Sequence, residues 1–321
     1  MTLRPGDQLG RFRLERKLGA EGDNEIWLAY DKASGSVDRG VRLHLFPAAG
    51  PGMSGSASTS SRLTGLDPRM VAARRFAGVV HPHVAEVRLM GVDDQFAWVA
   101  TGWAEGQGLD GLLARLAAHG LVLPRSTAVQ IGLQIARGLS ALHEARDASG
   151  ESRPLAHGRI CVPEVWISAS GQAQLVPFPL GQRLAPMAIA RSTAPEADTR
   201  AGDVGAAADL FALGALLFEL VTGGPVHDGP DLNAVRSQCA APLAEDAVAR
   251  LRGALPELAP LVESLLARDP GDRPASARFV ADKLVEALGL FARPTDLAGL
   301  MGWLDLLDAP PDPNPAPRWW P

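Results

Sequence analysis

Length, composition and charge already exclude several classes of protein. The 321 residues allow one large two-lobed domain or two ordinary domains, and 46% apolar against 21% charged residues is an ordinary globular composition. The net charge of −5 gives no reason to expect nucleic acid or an anionic membrane as a partner. Cys161 and Cys239 are the only cysteines, too few for a disulfide framework or a zinc site.

The sequence also offers no obvious membrane segment. The first residues lack the apolar core of a signal peptide. The longest apolar run, at residues 209–224, is too short to span a bilayer and contains Glu219. We therefore expect a cytoplasmic protein without membrane insertion.

The first hundred residues are rich in predicted strands. Apolar and polar residues alternate in "RFRLERKLG" and "EIWLAYD", and "RGVRLHLFP" predicts a third short strand. The Gly/Ser/Ala-rich residues 47–65 predict a flexible insertion. Asp67 followed by proline predicts the start of a helix over residues 67–80. Residues 85–103 then predict a hairpin that turns at Asp93 and Asp94.

Helical patterns dominate from Gly106 onwards. Residues 109–120 predict one helix and residues 124–145 a longer one, with an apolar stripe at Ile131, Ile135, Leu139 and Leu142. A hairpin closing at Ser170 and Gly171 follows, and then helices are predicted over residues 209–221, 256–267 and 276–287. The order predicts an α+β fold with a small strand-rich lobe and a larger helical lobe.

Five short motifs occur in a characteristic order. They are "LGAEGDNEIWLAYD" (18–31), "HPHV" (81–84), "TAPEA" (193–197), "DLFALG" (209–214) and "LLARDPGDRP" (265–274). Together they resemble the eukaryotic-like (Hanks-type) serine/threonine protein kinases of bacteria, over roughly residues 9–288. The resemblance implies a two-lobed protein-kinase-like fold. Its N-lobe would cover residues 1–103 and its C-lobe residues 104–288, with a C-terminal helix and a Pro/Trp-rich tail at 289–321.

The chemistry of that family is absent from the matching positions. Phosphoryl transfer needs a lysine on the phosphates, two metal ligands and an aspartate near the acceptor hydroxyl. His44 stands at the lysine position, and an imidazole with an ordinary pKa of about 6.5 is mostly neutral near pH 7. Arg159 replaces the catalytic aspartate, Glu164 the metal-binding asparagine and Pro177 the metal-binding aspartate. The helix glutamate that would pair with the lysine falls near Val71.

The phosphate-binding loop is eroded as well. The family pattern Gly-x-Gly-Gly-x-Gly is matched by Gly19, Ala20, Glu21, Gly22, Asp23 and Asn24. Two glycines are lost, and two carboxylates stand where phosphates would lie, so backbone amides would bind an anion poorly there. We predict no cofactor and no metal.

Arg42 lies on the same face of its predicted strand as His44, because strand side chains alternate. In the family an alanine at this position covers the adenine. We predict that Arg42 occludes the nucleotide site, although its long side chain could instead extend to solvent.

Four other residues match positions that maintain the family fold. The resemblance implies packing and backbone hydrogen bonding for His157. It implies acceptance of loop N–H groups and a helix cap for Asp209, and a buried ion pair between Glu196 and Arg273.

Three interpretations remain open. Arg159 and Glu164 form a salt bridge or are two solvated side chains. His81 and His83 suggest a metal, but without a third ligand a structural role is favoured. Ser192 and Thr193 either accept phosphate from another kinase or are plain loop residues, which we favour.

The C-terminal residues fall outside the resemblance. Residues 293–309 predict an amphipathic helix whose apolar face comprises Leu297, Leu300, Met301, Leu304 and Leu307. The proline-rich residues 310–321 end in Trp319 and Trp320, which would dock a partner or fold back on their own lobe.

The sequence therefore predicts a pseudokinase rather than an enzyme. It would act as a scaffold or allosteric regulator in bacterial signalling, with an active kinase or another signalling protein as partner and no nucleic acid. The premise is a cleft without a positive anchor for ATP and without a ligand for a divalent ion. The alternative is a protein that binds nucleotide without magnesium or an atypical phosphotransferase. A third reading is that the cleft binds another small ligand.

Overall fold

The computed structural model describes residues 3–21, 24–32, 40–47, 68–92, 96–147, 149–176, 186–199, 205–291 and 295–308, without the side chains at 21, 68, 69 and 72. Several predictions fall outside these residues: the insertion at 48–65, the turn at Asp93 and Asp94, and the positions Gly22, Asp67, Pro177, Trp319 and Trp320. The first residue of the predicted insertion, Pro47, instead ends a strand.

The N-terminal part of the described chain, up to Gly102, forms an antiparallel sheet of six strands in the order β1-β2-β3-β4-β6-β5. The strands are β1 (Gln8–Leu9), β2 (Phe12–Glu21), β3 (Asn24–Asp31), β4 (Gly40–Pro47), β5 (Val87–Val92) and β6 (Phe96–Gly102). The three strands predicted from alternation correspond to β2, β3 and β4, and the predicted hairpin to β5 and β6.

Strand β4 lies in the middle of this sheet and is buried on both faces. Val41, Leu43 and Leu45 pack into a core with Phe12 and Trp27. The intervening side chains point to the opposite face because strand side chains alternate. That alternation directs two polar residues of β4 towards the space between the lobes.

Helix α1 (Pro68–Phe76) packs on β5 and β6. Met70, Ala73 and Phe76 are buried, whereas Val71 is 47% exposed. The helix ends four residues before its predicted end, ahead of Gly78 with φ +93°. None of its residues is acidic, so it offers no glutamate to the cleft.

The C-terminal part of the chain, from Leu109 onwards, contains the remaining helices. They are α2 (Leu109–Ala118), α3 (Arg125–His143), α4 (Pro186–Ala190), α5 (Pro195–Thr199), α6 (Ala206–Thr222), α7 (Leu232–Cys239), α8 (Glu245–Ala254), α9 (Ala259–Leu265), α10 (Ala277–Leu288) and α11 (Leu297–Asp308). A small sheet of β7 (Gly106–Gly108), β8 (Val165–Ser168) and β9 (Ala173–Leu175) lies at the junction with the first half. None of the helices within the described residues is both long and apolar enough to cross a lipid bilayer.

Helices α3 and α6 form the centre of the C-terminal core. The predicted stripe of α3 is fully buried at Ile131, Ile135, Leu139 and Leu142, and α10 and α6 pack against it. Helix α6 begins three residues before its predicted start. The structure also contains α7 and α8, which the apolar pattern did not predict because each buries only two side chains.

Helix α11 packs against α3 rather than standing apart. Leu297, Leu300, Met301 and Leu304 are buried as predicted, but Leu307 is 41% exposed, so the apolar face is one residue shorter than expected. The start of the helix is held by polar contacts with α3, in which the backbone N–H groups of Thr295 and Leu297 donate to Ser126 and Gln130.

The turn between β8 and β9 closes at Ser170 and Gly171, as predicted, and contacts α11. Gly171 has φ +77°, and a Cβ atom there would lie 2.5 Å from the backbone nitrogen of Ala298. Only glycine satisfies both the turn and this close approach.

Candidate functional site

A cleft of about 360 Å³ lies between the two halves of the molecule. The six-stranded sheet forms one side of the cleft and contributes residues of β2, β3 and β4, including Arg42 and His44. The lower side is formed by the segment 163–166 with Val176, and the connection between the halves contributes Trp103 and residues 106–108. The cleft therefore brings together Arg42, His44 and Glu164, which are distant in sequence.

The Arg42 side chain lies inside the cleft and not in solvent. Only 8% of the residue is exposed, and the guanidinium carbon lies 3.7 Å from the centroid of the Trp166 ring and 5.4 Å from that of Trp103. Such a stack places the planar cation against an aromatic face, which is its favoured arrangement. Arg42 on β4 and Trp166 on β8 thereby contact each other across the cleft.

The stack leaves the charge of Arg42 without an acidic partner among the described residues. Burial lowers the pKa of its guanidinium to about 10. No described carboxylate forms an ion pair with Arg42, and its N–H groups donate to no described residue. The lack of a positive anchor for ATP stays a prediction, although the cleft is not free of positive charge. A cation is present, two residues before the position of the family lysine.

Lys17 is a second cation of the cleft, at a position that the sequence did not predict. Its residue lines the cleft from β2, and its ammonium group pairs with Glu25 on the neighbouring strand. Strand pairing could not have indicated this position, because it brings Lys17 opposite Trp27, whose side chain packs in the core on the other face of the sheet. His44 is 2% exposed and opposes Ile26 and Val99 in the sheet.

Glu164 is fully buried at the metal-ligand position implied by the resemblance. Neither carboxylate oxygen has a hydrogen-bond partner among the described residues, and the Arg159 guanidinium is 4.0 Å away. Burial raises the pKa of Glu164 to about 7, against a smaller lowering effect of Arg159. The arrangement is therefore a loose ion pair, and the alternative of two solvated side chains is wrong.

The segment matching the phosphate-binding loop is extended almost to its tip. Gly19 pairs with Ile26, and Glu21 with Asn24, so β2 and β3 continue up to a connection of two residues. Backbone groups that pair across a hairpin are not available to an anion. The described residues at this position form a strand pair, and Gly22 lies outside them.

His157 and Asp209 form a buried polar cluster below the cleft. Asp209 accepts hydrogen bonds from the backbone N–H groups of His157 (2.7 Å) and Gly158 (2.8 Å), and its Oδ2 lies 2.9 Å from His143 Nε2. The His157 ring contacts the carbonyl of Val176 at 2.8 Å. Asp209 does not cap its helix, however, because α6 begins at Ala206 and its cap position is Gly205.

Glu196 and Arg273 form the ion pair that the resemblance implies. The two guanidinium nitrogens lie 2.6 and 2.9 Å from the two carboxylate oxygens. Arg273 also donates to the carbonyl oxygens of Ala207, Ala267 and Arg268. The Arg273 side chain is fully buried, whereas that of Glu196 is 29% exposed.

The histidine pair His81 and His83 serves local structure. The His83 ring contacts the carbonyl of Ala173 at 2.9 Å, and its backbone N–H donates to Nδ1 of His81. Burial lowers the pKa of both rings, with the positive charge of Arg137 adding to the effect. No group of three metal-ligating side chains occurs within the described part of the chain.

Ser192 and Thr193 are not exposed loop residues. Both are half-buried after α4, and both hydroxyl groups donate to the carbonyl of Ile189, at 3.3 and 2.8 Å. In this conformation neither hydroxyl is presented freely to a modifying enzyme.

The fold defined by these two lobes and their cleft is that of the protein kinases. The structure superposes on the kinase domain of PknI from Mycobacterium tuberculosis with a TM-score of 0.62 and 22% identity, covering 89% of this chain and 100% of that domain. A double mutant of the same domain gives a TM-score of 0.63 at 26% identity, covering 90% and 100%. The predicted two-lobed α+β fold is confirmed.

Sequence comparison finds bacterial protein kinases as homologues. The chain is 28% identical to the serine/threonine-protein kinase pkn2 of Myxococcus xanthus, over 87% of this chain and 32% of that protein. It is 26% identical to the probable serine/threonine-protein kinase PkwA of Thermomonospora curvata, over 98% and 40%. The chain thus spans about a third to two fifths of the length of these relatives. No protein-family model matches it.

Proposed function

We propose that this chain is a pseudokinase, which has the protein-kinase fold without phosphoryl transfer. The observation that carries the proposal is the stack of Arg42 on Trp166 at 3.7 Å, because it occupies the slot where the resemblance places adenine. Residues from both sides of the cleft form this contact. A nucleotide base could enter only if this contact broke.

The replaced chemical groups support the same proposal. His44 is buried and shorter than the family lysine, and Arg159 stands where an aspartate would accept the substrate proton. The buried carboxyl of Glu164 has a pKa raised to about 7, so much of it is neutral near that pH and is a poor ligand for a divalent ion. Losing a single preorganised charge contact commonly costs about 10²–10³ in rate, and here several are lost together.

The retained groups are those that maintain the fold. Asp209 still binds the loop that contains Arg159, and Arg273 still binds Glu196. A chain that keeps these contacts without the catalytic groups is suited to binding other proteins. We propose that it is a cytoplasmic scaffold or allosteric regulator in bacterial signalling, with an active kinase or another signalling protein as partner.

Thermal-shift titration tests the absence of nucleotide binding. The melting temperature is measured with ATP, with and without Mg²⁺, and with EDTA alone. We expect no change in any condition, because a ligand that binds only the folded state raises the melting temperature. A nucleotide-dependent rise would favour the alternative, a protein that binds nucleotide without magnesium or an atypical phosphotransferase, in which Lys17 and Arg42 would serve as cations.

The partner is tested by affinity capture with the full chain and with a variant lacking residues 310–321. If Trp319 and Trp320 dock a partner, the truncated variant loses it. If both forms capture the same proteins, the interaction surface lies elsewhere on the fold.

A further inference from the structure

The cleft contains a buried cation that no described acid neutralises. A buried charge is costly unless it is paired and hydrogen-bonded, and the cation–π contact with Trp166 offsets only part of that cost. Arg42 forms no ion pair within the described residues, although Glu164 and Asp110 line the same cleft. A site with this imbalance favours a ligand of negative charge.

The geometry of the stack leaves Arg42 able to bind such a ligand. The central carbon of the guanidinium lies 3.7 Å from the centroid of the Trp166 ring, which is short enough for the two planes to stack. The five N–H groups of an arginine lie in the plane of the guanidinium, at its edge. Stacking therefore fixes the orientation of the guanidinium without using its N–H donors. Two of these N–H groups can then bind a planar oxyanion in a bidentate manner.

The other walls define the rest of the ligand. Leu18 and Ile26 from the six-stranded sheet and Val176 from the lower side provide apolar surface. The carboxyl groups of Asp110 and Glu164 in the same cleft oppose a second negative charge on the ligand. A volume of about 360 Å³ is in the lower part of the usual range for small-molecule pockets.

We propose that this cleft binds a small amphipathic monocarboxylate, whose carboxylate accepts two hydrogen bonds from the edge of the Arg42 guanidinium. Its apolar part packs against the apolar walls provided by Leu18, Ile26 and Val176. The ligand occupies the part of the cleft that the contact between Arg42 and Trp166 leaves open.

This inference goes beyond the proposed function and rests on it in one respect, the exclusion of adenine by Arg42. The two can fail separately. A pseudokinase with an unused cleft satisfies the proposed function and contradicts this inference. Binding of ATP contradicts the proposed function, whatever benzoate does.

Ligand-observed NMR and calorimetry with benzoate test the site directly, with benzamide as a neutral probe of the same shape. We expect saturable binding of benzoate and a rise in melting temperature, with benzamide at least about tenfold weaker because it lacks the charge-assisted hydrogen bonds. Phenyl phosphate, a dianion near neutral pH, should bind more weakly than benzoate. Equal binding of benzamide, or no binding of benzoate, phenylacetate and hexanoate, would overturn the proposal.

Two variants locate the binding. Arg42→Met keeps an unbranched apolar side chain and should weaken benzoate binding at least about tenfold, since it removes the guanidinium. Arg16→Gln removes an exposed positive charge at the same cleft and should leave binding nearly unchanged. If both variants weaken binding equally, a general positive field is responsible and the specific site is refuted.

A measurement on the unaltered chain covers the case in which Arg42→Met does not fold. The Nε–H resonance of Arg42 in ¹⁵N-labelled protein should shift on addition of benzoate, and less on addition of benzamide. An unchanged resonance at saturating benzoate would overturn the proposal.

Discussion

At the scale of single residues, Arg42 and Glu164 are polar side chains at positions buried by the fold. Both enter the cleft because their backbone segments are fixed, Arg42 by alternation in β4 and Glu164 by the 3₁₀ turn Val162–Glu164. The sequence could predict that Arg42 faces the cleft, because alternation along a strand is reliable. It could not decide whether the side chain points inward, since that depends on Trp103 and Trp166 from other parts of the chain.

The buried carboxyl of Glu164 makes stability depend on pH in a predictable direction. Its pKa is about 7 in the folded chain against an ordinary 4.5, so the folded state binds the proton more tightly. Stability is therefore lost as pH rises from about 4.5 to 7, and the loss is complete above pH 7. The difference between the two pKa values corresponds to roughly 3 kcal/mol at most.

Glu164→Gln removes this penalty. At pH 8 the variant should unfold at a higher denaturant concentration than the wild-type chain, and the two should converge towards pH 5. Denaturant unfolding monitored by circular dichroism at several pH values measures the difference. Glu257→Gln changes an exposed glutamate and should follow the wild-type profile. A Glu164→Gln variant that is no more stable at pH 8 than at pH 5, relative to wild type, would contradict the assignment.

At the scale of secondary-structure elements, helix α11 shows what periodicity can and cannot predict. Its apolar spacing predicted four of the buried side chains correctly and one, Leu307, incorrectly. Near the end of the helix the side chain of Asp308 turns to α2 instead, where it pairs with Arg115 at 2.7 Å. Which apolar residue loses its contact depends on where the neighbouring helix ends, and the sequence of α11 carries no information on that.

The packing of α11 gives a matched pair of substitutions. Leu304 is fully buried and Leu306 is 76% exposed, two positions apart on the same helix. Leu304→Ala should lower the free energy of unfolding by about 2–5 kcal/mol, because it leaves a cavity. Leu306→Ala should change it by no more than about 0.5 kcal/mol. Chemical denaturation of both variants measures the contrast, and similar values for the two would refute the packing of α11 described above.

At the scale of the whole molecule, Arg273 connects segments that are far apart along the chain. Its guanidinium binds Glu196 in α5, the carbonyl of Ala207 in α6 and those of Ala267 and Arg268 after α9. The resemblance allowed the pairing with Glu196 to be predicted, since both residues occur in matching motifs. The three carbonyl contacts could not be predicted, because every residue type has a backbone carbonyl group and the sequence does not indicate which of them accepts a hydrogen bond.

Arg273→Met should therefore be one of the most destabilising single substitutions in this half of the protein. It leaves the carboxylate of Glu196 and three carbonyl groups without their donor, and we expect a loss of about 3–5 kcal/mol in the free energy of unfolding. Arg252→Ala breaks the more exposed pair with Glu263 and should cost no more than about 1 kcal/mol. Calorimetry on both variants makes the comparison. A small effect of Arg273→Met would mean that the four contacts are not maintained in solution.

The packing of α11 also determines where a recombinant fragment of this protein can end. The family resemblance ends near Leu288, and a recombinant fragment trimmed there by analogy with kinase catalytic domains would lose a helix that buries four apolar side chains. The hydroxyl and amide groups of Ser126, Thr127 and Gln130 would lose the backbone partners they have at residues 295–297. Such a fragment would be prone to precipitate, and its behaviour in binding assays would report on the truncation rather than on the native chain.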